Sequence, residues 1–167
     1  MRIIGHRGAR GEAPENTLGG FRYLHGLGIR AVEFDVRQLK DGQLVVIHDD
    51  DFVRTTGRAQ HVESCDLSEA QQFDHRHQWQ HWTFEEYTPS LPHVLECLTD
   101  FDHIKVEIKA VADEAAAERL IEQLHQDLKG FETSATITSF DVKILAALQH
   151  IRSHYKRGLL VEIPIGE

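Results

Sequence analysis

The sequence has only two cysteines, no long apolar run and a deficit of positive charge, and each shortage argues against a class of protein. Cys65 and Cys97 form no CxxC motif, which argues against a disulfide framework and favours a reducing, cytoplasmic setting. No apolar stretch approaches the ~20 residues of a membrane span, and the opening MRIIGHRG lacks the apolar core of a signal peptide. Acidic residues number 27 against 18 lysines and arginines, a net charge of -9. We therefore expect neither nucleic-acid binding nor stable association with anionic membranes.

The 167 residues that are present, 41% of them hydrophobic, are enough for one soluble domain with a sizeable core. Short β-like runs alternate along the chain with segments of helical periodicity. We predict strands at 2–5, 31–36, 103–110, 134–140 and 157–163, and helices between them. A strand followed by a helix, repeated, is typical of a parallel sheet with crossover helices.

Two features interrupt this alternation after the second strand. Asp41-Gly42 lies between two strand-like runs and predicts a β-hairpin, which would return His48 to the neighbourhood of the second strand. Residues 51–88 are polar and rich in His and Gln. We interpret this segment as a cap-like insertion that covers a site.

Acidic side chains occur inside two of the predicted strands. Side chains two apart on a strand share a face, so Glu33 and Asp35 lie together, as do Glu107 and Lys109. Three carboxylates from neighbouring strands form a hard oxygen site that suits Mg²⁺ or Ca²⁺. The alternative is that these acids pair with Arg37, Lys109 or backbone groups, since buried charges need partners.

Two histidines stand at ends of these predicted strands. His6 follows the first strand and His48 ends the hairpin, and imidazole can move a proton near neutral pH. Arg7 can hold a phosphate through its fork of donors, and Lys109 can neutralise charge that develops on a phosphate. Either histidine alone is more often structural. The combination favours general acid–base catalysis of phosphoryl transfer.

The motifs GHRGARGEAPENT, VEFDV, KDGQLVVIHD, VRTTG and VEIK, in this order, resemble the glycerophosphodiester phosphodiesterase family in its bacterial cytoplasmic form. The resemblance implies a TIM-barrel enzyme that hydrolyses glycerophosphodiesters, such as glycerophosphocholine or glycerophosphoethanolamine, to glycerol 3-phosphate and an alcohol. Residues 51–88 would be the small cap of this family. The implied site residues are His6 and His48 as the acid–base pair, Glu33, Asp35 and Glu107 as ligands of one Mg²⁺ or Ca²⁺, and Arg7 and Lys109 as phosphate contacts.

The chain of 167 residues is short for an eight-unit barrel. Such barrels take about 250 residues and at least about 200. We therefore expect a single domain, residues 1–167, that supplies about five of the eight βα units and lacks the last three. Association into a homo-oligomer could cover its open sheet edges. Two other functions stay open: a non-catalytic fragment that keeps the metal site, and a phospholipase-type enzyme acting on intact lipids.

Several residues near these motifs are assigned supporting roles. Asn16 or Thr17 can cap the first helix, and capping and loop packing also account for Glu15. Asp49 belongs to a solvated turn and could orient the histidine before it. Arg54 is interpreted as holding the cap in place.

Overall fold

The structure is a computed structural model that describes residues 2–162. Its strands are β1 (Gly5–His6), β2 (Ala31–Gln38), β3 (Leu44–Val46), β4 (His103–Ile108), β5 (Ala135–Ser139) and β6 (Lys156–Leu159). Its α-helices are α1 (Leu18–Gly26), α2 (Val53–Thr56), α3 (Leu67–Ala70), α4 (Leu91–Glu96), α5 (Glu114–Asp127) and α6 (Val142–His150). Within this part of the chain, no helix is both long enough and apolar enough to cross a membrane.

Five strands form a parallel sheet in the order β1-β2-β4-β5-β6, and β3 pairs antiparallel with β2. Helices α4, α5 and α6 lie in the connections between consecutive parallel strands. This is the arrangement of successive βα units in a TIM barrel, with the β3 hairpin arm as an excursion. The hairpin predicted at Asp41-Gly42 is confirmed, since Val36 on β2 is the register partner of Val46 on β3.

The predicted first strand, residues 2–5, is wrong in its extent and burial. The sheet begins only at Gly5–His6, and Ile3 and Ile4 are 60% and 44% exposed. Among the described strands β1 pairs with β2 alone, so its other edge has no strand partner there. The last strand ends at Leu159, so its predicted extent is wrong for residues 160–162, which are not in a strand, and residue 163 lies outside the described residues.

Two hydrophobic clusters hold the described chain together. The larger lies between the parallel sheet and helices α1, α4, α5 and α6, and includes Phe21, Phe34 and Leu120. The smaller joins the hairpin to the segment that follows it, with Phe52 and Phe73 at its centre. Residues 51–88 are therefore anchored to the hairpin by a small shared apolar core, although their composition is polar.

Helix α1 begins directly after the loop that carries HRG and PENT. Thr17, rather than Asn16, is its N-cap, because the Thr17 hydroxyl accepts a hydrogen bond from the Gly20 amide. Asn16 is thereby free to make a different contact, which lies in the site described below.

Candidate active site

The predicted acidic residues come together at one point on the sheet. Glu33 and Asp35 lie on β2, and Asp35 is the register partner of Glu107 on β4. Carboxylate oxygens of these three residues all lie within 4.8 Å of one another. The two-residue spacing on β2 and the parallel pairing with β4 therefore produce a compact cluster of oxygen atoms.

Glu33 is the member of the cluster without a side-chain cation in hydrogen-bond contact. It is 7% exposed, its Oε2 accepts the Arg7 backbone amide at 3.2 Å, and its buried Oε1 has no hydrogen-bond partner among residues 2–162. The His6 Nε2 lies 3.7 Å from Oε2. Burial, and then the negative charge of Asp35, raise the pKa of Glu33 to about 7.

The other two acids pair with cations. The Lys109 ammonium donates to Asp35 Oδ1 at 2.7 Å and also contacts Glu107. The second oxygen of Asp35 accepts the Asn16 side-chain amide at 3.0 Å and lies 3.4 Å from Arg7 Nε. Of the pairings considered as an alternative to metal binding, those with Lys109 and with a backbone group are present. The Nε of Arg37 instead donates to the His48 carbonyl.

Each predicted catalytic histidine has a distinct environment. The His48 Nδ1 lies 2.7 Å from Asp49 Oδ1. Burial alone would raise the pKa of Asp49, but hydrogen bonds from Arg54 and His48 outweigh it and lower that pKa to about 2. The His6 side chain is 60% exposed. Partial burial, together with Arg7 and Arg10, lowers the pKa of His6, so this imidazole is mainly neutral at pH 7.

The donor set fits a hard divalent cation. Three carboxylates supply oxygen ligands, and the unpartnered Glu33 Oε1 marks a buried acceptor that a cation would satisfy. The Asn16 Oδ1 is a second buried acceptor without a partner in the described chain. No sulfur or imidazole belongs to the acidic cluster, which favours Mg²⁺ or Ca²⁺ over a soft metal.

Comparison with known proteins identifies the family to which this fold and site correspond. The glycerophosphoryl diester phosphodiesterase family matches residues 6–164. The chain belongs to this family. A glycerophosphodiester phosphodiesterase from Caldanaerobacter subterraneus subsp. tengcongensis is 33% identical over 168 aligned residues, which cover 99% of this chain and 68% of the relative.

Solved structures of family members extend the likeness to three dimensions. An Oleispira antarctica phosphodiesterase, solved in complex with the product sn-glycerol-3-phosphate, matches with a TM-score of 0.86 and 28% identity over 97% of this chain and 66% of that one. A glycerophosphodiester phosphodiesterase from Agrobacterium tumefaciens matches with a TM-score of 0.79 and 28% identity, covering 94% and 65%. The chain thus spans about two thirds of the length of these phosphodiesterases, and the TIM-barrel fold class is confirmed.

Two residues of the phosphodiesterase loop PENT make contacts that sequence reasoning missed. Asn16 is 3% exposed and has a left-handed backbone, with φ of 56°. Its amide holds Asp35, a role that helix capping and loop packing did not suggest. Glu15 accepts hydrogen bonds from Arg7 and Arg54. The sequence offered one signal for the special role of Asn16, which is an Asn in the loop after a strand end. Asn adopts positive φ more readily than most residues.

Proposed function

We propose that this chain takes part in the divalent-cation-dependent hydrolysis of glycerophosphodiesters to glycerol 3-phosphate and an alcohol. The proposal depends on one observation: carboxylates from two neighbouring strands converge within 4.8 Å, beside His6 at the end of β1 and Arg7 in the loop that follows. The product-bound Oleispira relative supports glycerol 3-phosphate as the product. Substrates such as glycerophosphocholine and glycerophosphoethanolamine are small molecules, and the net charge of -9 does not favour nucleic acid as a ligand.

The three acidic residues would bind the metal ion, and the basic side chains of Arg7 and Lys109 would bind the phosphate. Bound by Glu33, Asp35 and Glu107, Mg²⁺ or Ca²⁺ would polarise a phosphoryl oxygen and neutralise its charge. The Lys109 ammonium now donates to Asp35, and the buried Nε of Arg7 lies 3.4 Å from the same carboxylate without a hydrogen-bond partner among residues 2–162, so both cations already lie at the site. An incoming phosphate would offer these donors an alternative anionic acceptor.

The histidines would transfer the protons of the reaction. In His48 the Nδ1 faces Asp49, which leaves Nε2 to face the substrate. His6 is mainly neutral at pH 7 and exposed, so its imidazole can accept a proton from an attacking hydroxyl or donate one after protonation. We assign the pair to general acid–base catalysis without dividing the two roles between them.

Residues 51–88 would cover this site as a cap. Arg54, in the first helix of the segment, contacts Glu15 in the loop after β1, which supports a cap that reaches across the entrance. The domain as a whole would be one unit of residues 1–167. Cytoplasmic location, homo-oligomer formation and the absence of stable membrane association stay predictions of the sequence.

Release of glycerol 3-phosphate tests the proposal directly. Wild type, His6→Ala and His81→Ala would be assayed on glycerophosphocholine and glycerophosphoethanolamine with Mg²⁺, Ca²⁺ or EDTA. His81 is the matched control, since it is an exposed histidine in the cap segment. We expect turnover by wild type and the control, none in EDTA, and a loss of roughly 10²–10⁴-fold in His6→Ala.

Two results would count against the proposal in different ways. Turnover that survives both EDTA and His6→Ala would contradict the metal and histidine roles. An inactive wild type that still binds Ca²⁺, with binding lost in Glu33→Gln, would favour the non-catalytic alternative. Hydrolysis of intact phospholipid vesicles instead of glycerophosphocholine would favour the phospholipase-type alternative.

A further inference from the structure

A continuous series of ion pairs and hydrogen bonds joins Arg7 to His48 through Arg54 of the cap. Arg7 Nη1 donates to Glu15 Oε1 at 3.1 Å, and Arg54 Nη2 donates to the same oxygen at 2.7 Å. On its other side, Arg54 Nε donates to Asp49 Oδ2 at 2.7 Å, and Asp49 Oδ1 lies 2.7 Å from the imidazole of His48. The series therefore begins and ends on residues proposed to contact the substrate.

Arg54 makes two hydrogen bonds to each of its two acidic neighbours. Besides the bonds above, its Nη1 donates to Glu15 Oε2 at 3.0 Å and its Nη2 donates to Asp49 Oδ1 at 3.1 Å. The hydrogen bonds that Arg54 donates to Glu15, and then those to Asp49, raise the pKa of Arg54 above its usual range. A planar guanidinium can serve two carboxylates in this way, whereas a lysine ammonium is a point charge that cannot form paired parallel bonds.

The two ends of the series fix two different features of the site. At one end Glu15 holds the guanidinium of Arg7, a residue whose backbone has the uncommon φ of 50°. At the other end, the Asp49 carboxylate can only accept a hydrogen bond, which requires a proton on the His48 Nδ1 and leaves Nε2 free for another partner. Arg54 is the residue common to both ends.

We propose that Arg54 is a positioning residue. Through its hydrogen bonds to Glu15 and Asp49, it fixes the position of the Arg7 guanidinium relative to the His48 imidazole. Within the described chain, the hydrogen bonds and ion pairs of the Arg54 side chain go to Glu15 and Asp49 and not to the acidic cluster, so it would act through these neighbours. The inference depends on the proposed function for the roles of Arg7 and His48. The ion pairs and hydrogen bonds of Arg54 do not depend on that function.

The series is buried at its Arg7–Glu15 end, whereas the Arg54 side chain is 37% exposed. The side chains of Arg7 and Glu15 are 11% and 12% exposed, so salt and water screen their interaction less than they would screen an exposed pair. A second bidentate arginine pair in the cap, Arg76 with Asp74, bonds only to cap residues. Arg76 therefore provides a matched control: the same chemistry without a connection to the site.

The test compares Arg54→Lys with Arg76→Lys in the full chain. Each substitution keeps the charge and removes the planar fork. The first readout is the ¹⁵N NMR signal of the His48 ring, identified by its loss in His48→Asn, which reports the nitrogen that carries the proton. The second is the affinity for glycerol 3-phosphate, and the third is turnover, separated into kcat and KM. Thermal unfolding reports any general loss of stability.

For Arg54→Lys we expect mixed His48 tautomers, glycerol 3-phosphate affinity lowered about tenfold, and kcat lowered on the order of 10²-fold, as displacement of catalytic groups by about 1 Å can produce. Arg76→Lys should match wild type in all three. Wild-type tautomer, affinity and kcat in Arg54→Lys would overturn the inference, as would equal effects in the two variants. The tautomer and affinity need no turnover, so a failure of the proposed activity would be distinguishable from a failure of this inference.

Discussion

Replacing Glu33 with glutamine should stabilise the metal-free fold above neutral pH. The pKa of Glu33 is about 7 in the fold, against an ordinary value of 4.5, mainly because of burial. The folded state thus holds this proton more tightly than the unfolded chain does. The proton's stabilising effect is complete below about pH 4.5 and is lost as the pH rises through 7. At ~1.36 kcal/mol for each pKa unit, ionised Glu33 lowers the free energy of unfolding by about 3 kcal/mol at pH 8.

Urea unfolding in EDTA, followed by circular dichroism at pH 5 and pH 8, would measure this effect. Glutamine has nearly the shape of the protonated acid and never ionises. Glu33→Gln should therefore lie within about 1 kcal/mol of wild type at pH 5 and exceed it by up to about 3 kcal/mol at pH 8. Glu118→Gln, an exposed position on α5, is the control and should show no such pH-dependent difference. Saturating Ca²⁺ should stabilise wild type and leave Glu33→Gln unchanged.

A Glu33→Gln variant that is no more stable than wild type at pH 8 would contradict the predicted cost of ionised Glu33. Such a result would mean that the Glu33 carboxylate is adequately paired or hydrated in the metal-free fold. The unpartnered Oε1 would then no longer support a cation site.

Two further substitutions test metal binding at the site and the packing beside it. Lys109→Met should bind Ca²⁺ about tenfold more tightly by titration calorimetry, because the Lys109 ammonium now competes with the ion for two of the three site carboxylates. Turnover by this variant should fall. Unchanged or weaker Ca²⁺ binding would contradict this competition. Gly5→Ala should lower the free energy of unfolding by roughly 1–3 kcal/mol, since its Cβ would lie 2.3 Å from the Gly8 carbonyl oxygen. Gly26→Ala, with open space around its Cβ, is the comparison and should not destabilise, so equal losses would show that the close approach at Gly5 is relieved at little cost.

Most of the fold could be predicted from local patterns. The Asp41-Gly42 turn determines the β2–β3 hairpin through its own chemistry, since Gly42 has φ of 86°, which a side chain would disfavour. Alternating strands and helices predict the parallel order because crossover connections leave few topologies. The first strand was misjudged because β-branched residues favour a strand wherever they occur, whereas Ile3 and Ile4 find no neighbour to pair with on their side of the described sheet.

The candidate site could be predicted only where strand periodicity decides it. The spacing of Glu33 and Asp35 places both on one face without further information. Their distance from Glu107 depends on the β2–β4 register, which no local pattern specifies. The contact of Glu15 with Arg54 spans 39 residues and depends on how the cap folds back, so the sequence could suggest only that Arg54 secures the cap.

Strand β2 carries two of the acids and is paired along its length. Strand β4 follows one edge from Ala31 to Val36, while β1 and then β3 share the other. The carboxylates near its middle therefore keep their spacing unless the whole sheet opens, and amide exchange there should be among the slowest in the molecule. The surrounding loops could accordingly change in sequence while the acids stay at fixed positions on this strand.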